Sequence, residues 1–165
     1  YIPRIAQLTQ KTNQFNLTTL RYTQNQIEQF MNSAKSGVFA MFVKDKFGDN
    51  GLTGVCIVKE DETNPKNAII DSLLMSCRIL GRNIEFMYVN TIIGSLSEAG
   101  YETLSAEYIP TKKNAQVESF YEKVGLQLLE TKEGRKHYSL DIRNFDTKPI
   151  DYIKVVSNLG DKIEK

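Results

Sequence analysis

The feature that most constrains the fold is a strand, a tight basic turn and a helix in direct succession. The apolar run at residues 68–74 predicts a buried strand, and apolar residues at helical spacing from Ile84 predict a helix. The turn between them, residues 77–84 (CRILGRNI), contains one glycine and two arginines. Such a turn points backbone N–H groups and the positive end of the helix dipole at one spot. The pattern therefore predicts a seat for the diphosphate of a nucleotide-bearing cofactor.

Two arginines flank this predicted diphosphate seat, and one glutamate would repel the diphosphate. Arg78 and Arg82 would add charge-assisted hydrogen bonds to phosphate oxygens that bind N–H groups near Gly81. The alternative is a plain strand-to-helix connection whose arginines are solvated. Glu85, in the first helical turn, suits the helix dipole but repels a diphosphate.

The composition favours one compact globular domain. The chain has 165 residues, of which 41% are hydrophobic and 25% are charged. A formal net charge of +1 argues against a nucleic-acid surface, and no apolar run is long enough to cross a bilayer. Cys56 and Cys77 lie in apolar runs and predict buried thiols, and one histidine with two cysteines at no ligand spacing predicts no metal site. The cytoplasm is the expected location. Because the chain starts at Tyr1 without a methionine, we expect it to be a piece of a longer protein.

Hydrophobic periodicity predicts helix, strand, helix, three strands, helix, strand, helix and two strands. This order predicts an α+β or mixed α/β domain with an antiparallel first half and a parallel pairing in the second. Thr23 is a predicted helix N-cap, and the GDNG sequence at residues 48–51 is a predicted hairpin turn. Helices are predicted at residues 3–15, 24–34, 84–100 and 114–124, and strands at 17–22, 38–47, 52–59, 68–76, 102–109, 126–131 and 136–142.

Two motifs resemble those of GNAT acetyltransferases. Arg78-x-x-Gly81-x-Asn83 resembles the acetyl-CoA pyrophosphate loop of that family, which usually has a small residue at the last position. Residues 114–126 (NAQVESFYEKVGL) resemble its second motif, a helix that begins with Asn and ends in Tyr-Glu-Lys-x-Gly-Phe. The resemblance implies the GNAT fold, with a mostly antiparallel sheet, one parallel pair and helices on both faces. It also implies acetyl-CoA or another acyl-CoA as the ligand.

Nearly the whole chain resembles the C-terminal region of FkbH-like proteins. The similar stretches are RIAQLTQKTNQFNLTT, KDKFGDNGLTGV, LLMSCRILGRNIE and AEYIPTKKNAQVESFYEKVG. The resemblance implies a preceding HAD-type phosphatase-like domain, whose Asp-x-Asp-x-Thr motif is absent here, and an acyl carrier protein partner in making methoxymalonyl extender units for polyketides. The expected division is 1–16 as a helix and linker from the preceding domain, 17–143 as the GNAT-like domain, and 144–165 as a tail with an apolar patch at 152–156 and a fraying charged end.

The GNAT resemblance assigns roles to three further residues. Tyr121 would be the general acid that protonates the departing CoA thiolate, or else a core tyrosine. Glu107 would be the general base, although its spacing to Asn114 is longer than in the family, and a surface or ion-paired glutamate is the alternative. Asn114 would cap its helix and hydrogen-bond the pantetheine arm. The implied cofactor-binding set is Ser76, Cys77, Arg78, Gly81, Arg82, Asn83 and Asn114.

Three functions stay open on the sequence alone. The first is a GNAT-type acyltransferase that binds an acyl-CoA or a carrier-bound phosphopantetheine thioester. The second is a non-catalytic module that holds the pantetheine arm of a carrier protein for the HAD-type domain, and the third is a scaffold without a ligand. Lys112 and Lys113 would meet a CoA phosphate or an acidic carrier protein, or are simply solvated. Cys77 as a nucleophile and His137 as a catalytic residue are less favoured than a core thiol and a surface strand residue.

Overall fold

The computed structural model describes residues 1–147 and 149–157. This part of the chain forms a six-stranded sheet with helices packed on it. The helices are α1 (Ile2–Lys11), α2 (Gln24–Asn32), α3 (Ile84–Glu98) and α4 (Phe120–Val124). The strands are β1 (Ser36–Asp45), β2 (Gly48–Glu60), β3 (Asn67–Met75), β4 (Thr103–Tyr108), β5 (Gln127–Lys132) and β6 (Arg135–Asp141).

The sheet is antiparallel except at one pairing. Its strand order is β1-β2-β3-β4-β6-β5, and β3 pairs with β4 in parallel. The parallel pair is joined by α3, as a crossover connection between parallel strands requires. The predicted class, a mixed domain with a mostly antiparallel sheet and one parallel pair, is confirmed.

Helices cover both faces of the sheet, also as predicted. The faces are set by alternation along the strands, since Val55 and Ile57 belong to one buried cluster and Cys56 to the other. The cluster under α1 and α2 includes Ile5, Leu8, Ile27, Val55, Ile57 and Leu74. The larger cluster under α3 and α4 includes Cys56, Leu73, Met75, Val89, Ile92, Leu104, Phe120, Tyr121 and Tyr138.

Local capping agrees with the sequence at two helix ends. Thr23 caps α2 in a reciprocal capping box, in which its hydroxyl accepts the N–H of Gln26 and its own N–H donates to the Gln26 side chain. Gly125 ends α4 at a φ of +116°, a left-handed conformation that favours glycine. Both helices therefore have at least one boundary that local chemistry determines.

The first hairpin turn lies earlier than predicted. The turn is at residues 46–47, and residues 48–51 are already in β2. Asp45 ends β1 because its carboxylate accepts the N–H of Phe47 at 2.8 Å. Gly51, with a φ of +65°, lies opposite a register shift between Phe42 and Lys44. Gly51 therefore accommodates an irregularity in the strand pairing, and the turn itself precedes Gly48.

The helix predicted at residues 114–124 is interrupted. One turn of 3₁₀ helix, Ala115–Val117, precedes α4, which has five residues. No side-chain hydrogen bond from Asn114 caps either piece, so its predicted capping role is wrong. Residues 152–156 of the tail are described and form no helix or strand, and the charged end at 158–165 lies outside the described residues. The division into residues 1–16, 17–143 and 144–165 stays a prediction.

Among the described residues, no helix combines the length and the hydropathy that a membrane span needs.

Candidate functional site

The parallel strands β3 and β4 separate after a short pairing. Their register runs from Asn67 opposite Thr103 to Ile70 opposite Ala106, and beyond it the two strands no longer pair with each other. The gap opens toward the carboxyl ends of both strands, the side on which open α/β sheets bind ligands. It also adjoins the basic turn that follows β3. A binding site is therefore expected at this gap.

The chain itself fills this gap with residues 15–17, here called the inserted segment. The segment runs between the ends of β3 and β4 and bonds to the backbone of both. Asn16 faces Leu74 in an isolated antiparallel bridge. The three bonds run from the N–H of Met75 to the carbonyl of Phe15 (3.0 Å), from the N–H of Leu17 to the carbonyl of Leu73 (3.0 Å), and from the N–H of Ile109 to the carbonyl of Leu17 (2.9 Å).

The side chains of the inserted segment are part of the core. Leu17 is fully buried, and Phe15 is 5% exposed, both in the cluster under α3 and α4. The ring of Phe15 meets that of Phe120 edge to face at 5.0 Å, and Phe120 stacks on Phe86 of α3 at 5.5 Å. The segment therefore closes the gap in the sheet and also fills the space between α3 and α4.

The strand predicted at residues 17–22 is wrong. Thr19 has a φ of +54°, which turns the chain away from the sheet just after the inserted segment. The hydroxyl of Thr18 donates to the carbonyl of Asp71 at 3.0 Å, and Leu20 is exposed. The side chain of Asn16 stabilises this turn, because its Oδ1 accepts the N–H of Thr19 at 2.9 Å. Local polar bonds thus replace a strand ladder.

Asn114 holds the inserted segment from the β4 side. Its side chain is fully buried, and its Nδ2 donates to the carbonyls of Asn16 (3.0 Å) and Ile109 (2.9 Å). Its Oδ1 accepts the N–H of Thr111 at 2.7 Å and the hydroxyl of Tyr108 at 3.3 Å. The amide is fully used within the chain, so the predicted bond to a pantetheine arm requires one of these partners to leave.

The basic turn presents an uncapped helix start. Gly81 and Asn83 both adopt left-handed φ values, +81° and +63°, and the chain then enters α3 at Ile84. Asn83 is the N-cap residue but makes no side-chain cap bond. The backbone N–H groups of the first turn therefore have no partner inside the helix or from the cap. The anion seat at this turn stays a prediction.

Protein groups occupy most of the side chains around that turn. Arg82 pairs with Asp45 at 2.6 Å, and this hydrogen bond lowers the pKa of the Asp45 carboxyl. Asn83 donates to the hydroxyl of Tyr152 from the tail at 2.6 Å. Arg78 is exposed and contacts the Ser76 hydroxyl at 3.4 Å. Of the two arginines, Arg78 is therefore the one whose charge is unpaired among the described residues.

The structure places the two cysteines differently from each other. Cys56 is fully buried as predicted, and burial, reinforced by Asp71, raises the pKa of its thiol. Cys77 is exposed, which corrects the prediction of a second buried thiol. It lies at the start of a 3₁₀ turn, Cys77–Ile79, that follows β3.

Cys77 lines a basic groove of about 760 Å³ on the outer side of the inserted segment. The groove lies between α1, the end of β3 and the loop after β4, and none of the described residues that line it is acidic. Its positive charge suits a phosphate or an acidic protein surface. The cationic lining residues are Arg4, Lys11, Lys112 and Lys113.

Tyr121 is buried with an unpaired hydroxyl. The residue is 1% exposed, and its Oη has no hydrogen-bond partner among the residues the structure describes. Burial, with smaller contributions from Cys56 and Tyr138, raises its pKa well above the usual value. Tyr138 is equally buried, but its hydroxyl donates to Glu122 at 3.0 Å. Buried polar groups are almost always hydrogen-bonded, so the Tyr121 hydroxyl requires an explanation.

Glu107 lies on the other face of the sheet from Tyr121. Its neighbours in β4, Ala106 and Tyr108, share the core of Tyr121, and strand alternation directs Glu107 away from them. Its carboxylate is bound by Arg135, with the Nε at 2.7 Å. The exposed His137 pairs with Glu107 in the register of β4 and β6. The structure therefore does not bring the two predicted catalytic residues together.

The sequence reasoning missed two contributors to this region. The inserted segment gave no local signal, because its partners lie more than 50 residues away in the chain. Tyr152 was assigned to an apolar tail patch, and its hydroxyl instead contacts the turn that enters α3. No cluster of three or more His, Cys, Asp or Glu side chains able to hold a metal occurs in the described ranges.

The fold is that of known acetyltransferases. No protein-family model matches the sequence, and no curated protein matches it either. A solved structure assigned to the GNAT family, from Desulfovibrio desulfuricans, is 12% identical and superposes with a TM-score of 0.61 over 86% of this chain and 90% of that one. The ribosomal-protein-S18-alanine N-acetyltransferase of Escherichia coli is 11% identical, with a TM-score of 0.61 over 93% of each chain. The PaiA N-acetyltransferase of Thermoplasma acidophilum, solved with coenzyme A, is 15% identical, with a TM-score of 0.57 over 72% of this chain and 68% of that one. The chain has the GNAT acetyltransferase fold.

Proposed function

We propose that this chain is a GNAT-type acyltransferase domain that uses an acyl thioester of coenzyme A or of carrier-bound phosphopantetheine. The observation that carries the proposal is the buried Tyr121 hydroxyl, which has no partner among the described residues. A thioester that transfers its acyl group leaves a thiolate, which needs a proton donor. A phenol buried on α4 with no partner among the described residues is such a donor, and like any tyrosine it is protonated at neutral pH.

The residues at the start of α3 and at Tyr121 fit such a ligand, whereas those in the gap between β3 and β4 exclude its pantetheine arm. The uncapped start of α3, with Arg78 exposed beside it, offers donors and positive charge to a diphosphate, and Glu85 in the first turn opposes them. Tyr121 suits a developing thiolate. The gap between β3 and β4, however, is filled by the inserted segment, so in this conformation no extended arm reaches from the basic turn into the sheet.

When bound, the thioester would supply an activated carbonyl and a leaving sulfur. The chain would contribute a backbone donor at the end of β3, where the N–H of Met75 points into the gap. Arg78 and the first N–H groups of α3 would hold the phosphate end. Tyr121 would hold the proton for the sulfur. Glu107, bound by Arg135 on the opposite face, is not given a role in this scheme.

A non-catalytic carrier-binding module is the second candidate, and two observations favour it. Glu107 forms an ion pair with Arg135, so the carboxylate that the resemblance implies as general base is already bound. Among the described residues, the basic groove beside Cys77 offers four cationic side chains and no acidic one to an acidic carrier protein. In this version the same pantetheine arm is bound, but no acyl group is transferred.

The proposed setting is that of an FkbH-like protein. There the domain would follow a HAD-type phosphatase-like domain and bind an acyl carrier protein in cytoplasmic methoxymalonyl extender-unit synthesis. The support for this setting is the sequence resemblance over nearly the whole chain. The basic groove is compatible with the carrier protein partner.

The test is calorimetric titration with a thioether analogue of acetyl-CoA, and with holo and apo forms of a carrier protein. We expect binding of the analogue, weakened about tenfold in Arg78→Ala, since one charge-assisted hydrogen bond contributes about 1.5 kcal/mol. Arg143→Ala removes an equally exposed arginine that is already paired with Asp141, and is expected to bind like the unmodified chain. Binding of holo carrier protein without release of thiol from any acyl thioester would select the second candidate. Absence of binding to every probe would refute both.

A further inference from the structure

The inserted segment is bonded to the two strand ends in the way that a pantetheine arm would be. Residues 15–17 offer the N–H of Leu17 and the carbonyls of Phe15 and Leu17 to those strand ends. A pantetheine arm carries two secondary amides in an extended chain, and so has the same donors and acceptors at similar spacing. Unpaired strand edges accept such extended backbones readily. The two therefore compete for the same backbone groups.

The segment also fills the space that leads to Tyr121. Phe15 packs on Phe120, the residue before Tyr121 on α4, and Leu17 is fully buried in the same core. A ligand that passed through the gap toward the Tyr121 hydroxyl would need the volume of these side chains. The hydroxyl has no partner among the described residues while the segment is in place.

We propose that residues 15–17 are an internal competitor for the pantetheine arm, and that the thioester site opens only when this segment leaves the gap between β3 and β4. The inference rests on the proposed function and adds its regulation. Binding at the start of α3 does not require the movement, because no backbone hydrogen bond among the described residues joins the segment to that turn. Entry of the pantetheine arm does require it.

A reversible lock tests the proposal directly. Asn16 and Leu74 face each other as a pair flanked by hydrogen bonds on either side, the antiparallel arrangement with the shorter Cα separation, about 4.5 Å. A disulfide accepts that separation. The double variant Asn16→Cys/Leu74→Cys, made with Cys77→Ser so that one bridge forms, holds the segment in the gap when oxidised and frees it when reduced. Mass spectrometry of the intact chain verifies the bridge.

The readout is affinity for the thioether analogue of acetyl-CoA and for the matching phosphopantetheine analogue. We expect the oxidised form to bind at least about 100-fold more weakly than the reduced form of the same protein. Comparison of the two analogues then distinguishes a nucleotide-bearing ligand from a carrier-bound arm. Equal affinity in the oxidised and reduced forms would overturn the proposal while leaving the proposed function intact.

A destabilised segment gives the opposite perturbation. Leu17→Ala removes buried side-chain packing from the segment and is expected to raise affinity for either analogue about tenfold. Ile142→Ala truncates a residue of the same core outside the segment and is expected to leave affinity unchanged. Circular dichroism confirms that each variant folds. If Leu17→Ala folds and binds no better than Ile142→Ala, the segment is not a competitor. If no variant binds any analogue or holo carrier protein, the proposed function itself fails.

Discussion

Replacing Tyr121 with phenylalanine is expected to stabilise the fold while removing its chemistry. The hydroxyl lies in a fully buried environment without a hydrogen-bond partner among the described residues. A buried polar group left unsatisfied costs about 1–3 kcal/mol of stability. The substitution removes that group and keeps the ring contacts with Phe120 at 5.9 Å and Tyr138 at 5.4 Å. We therefore expect the free energy of unfolding to rise by about 1 kcal/mol, or the Tm by about 3 °C.

Tyr138→Phe is the matched control. This tyrosine is as buried as Tyr121 and lies in the same core, but its hydroxyl donates to the carboxylate of Glu122 at 3.0 Å. Loss of a hydrogen bond to a charged acceptor that is itself partly exposed lowers stability by about 1 kcal/mol. The two substitutions are chemically identical, so opposite signs isolate the effect of the missing partner.

Urea denaturation of both variants measures the two changes, with equal m-values required for comparison. In parallel, thiol release from an acyl thioester is expected to fall about 100-fold in Tyr121→Phe with little change in ligand affinity, because a general acid acts on the chemical step. Destabilisation of Tyr121→Phe by 1 kcal/mol or more, as in the control, would show that the hydroxyl is hydrogen-bonded in solution. The argument that it is a reserved proton donor would then be rejected.

Four further substitutions follow from the packing and the charges. Gly54→Ala places a methyl group 2.9 Å from Met41 Cε and 3.2 Å from Tyr88 Cε1, so it is expected to lower the free energy of unfolding by about 1–3 kcal/mol. The methyl group of Gly94→Ala on α3 meets nothing within 4 Å, so this substitution is expected to raise the free energy of unfolding by about 0.5–1 kcal/mol. Urea denaturation measures both changes. Asn114→Ala is expected to cost at least about 3 kcal/mol by the same measurement, because it leaves buried carbonyls without donors. Arg82→Gln is expected to raise the pKa of Asp45 toward its ordinary value, which NMR titration detects. The pairing with Arg82 lowers the pKa of Asp45 in the folded state below its value in the unfolded state. The stability that the pair contributes is therefore present above the unfolded-state pKa and is lost as the pH falls through the folded-state pKa. The free energy of unfolding of Arg82→Gln is therefore expected to fall less on acidification.

The sequence predicted the elements whose cause is local. The N-cap at Thr23, the end of α4 at Gly125 and the closing hairpin of β5 and β6 all depend on residues a few positions apart. The strand at 67–75 and the helix from Ile84 agree within one residue with the apolar runs that predicted them. Local pattern was therefore sufficient for the class of the fold and the position of the basic turn.

Where the cause is long-range, the sequence was insufficient. Leu17 was predicted in a strand. Its position is instead determined by hydrogen bonds to Leu73 and Ile109, which lie at two strand ends 56 and 92 residues further along the chain. The GNAT resemblance implied that Asn114 caps a helix, yet it is the buried donor to Asn16. Cys77 was predicted buried from its apolar neighbours, although the chain leaves the sheet one residue before it. These three errors concern residues at or beside the gap between β3 and β4.

Asn114 connects the closed conformation of this gap with the open one that ligand binding requires. In the closed conformation its Nδ2 donates to the carbonyl of Asn16, and the side chain is fully buried. If the inserted segment left and nothing replaced it, this donor would be stranded at a cost of about 1–3 kcal/mol. An amide carbonyl of a pantetheine arm would restore the bond, which is the role that the family resemblance assigned to Asn114. The Asn114 side chain would then stabilise the gap when either the inserted segment or the pantetheine arm fills it, and would destabilise an empty gap. Direct exchange of the segment for the arm is therefore favoured over departure of the segment alone.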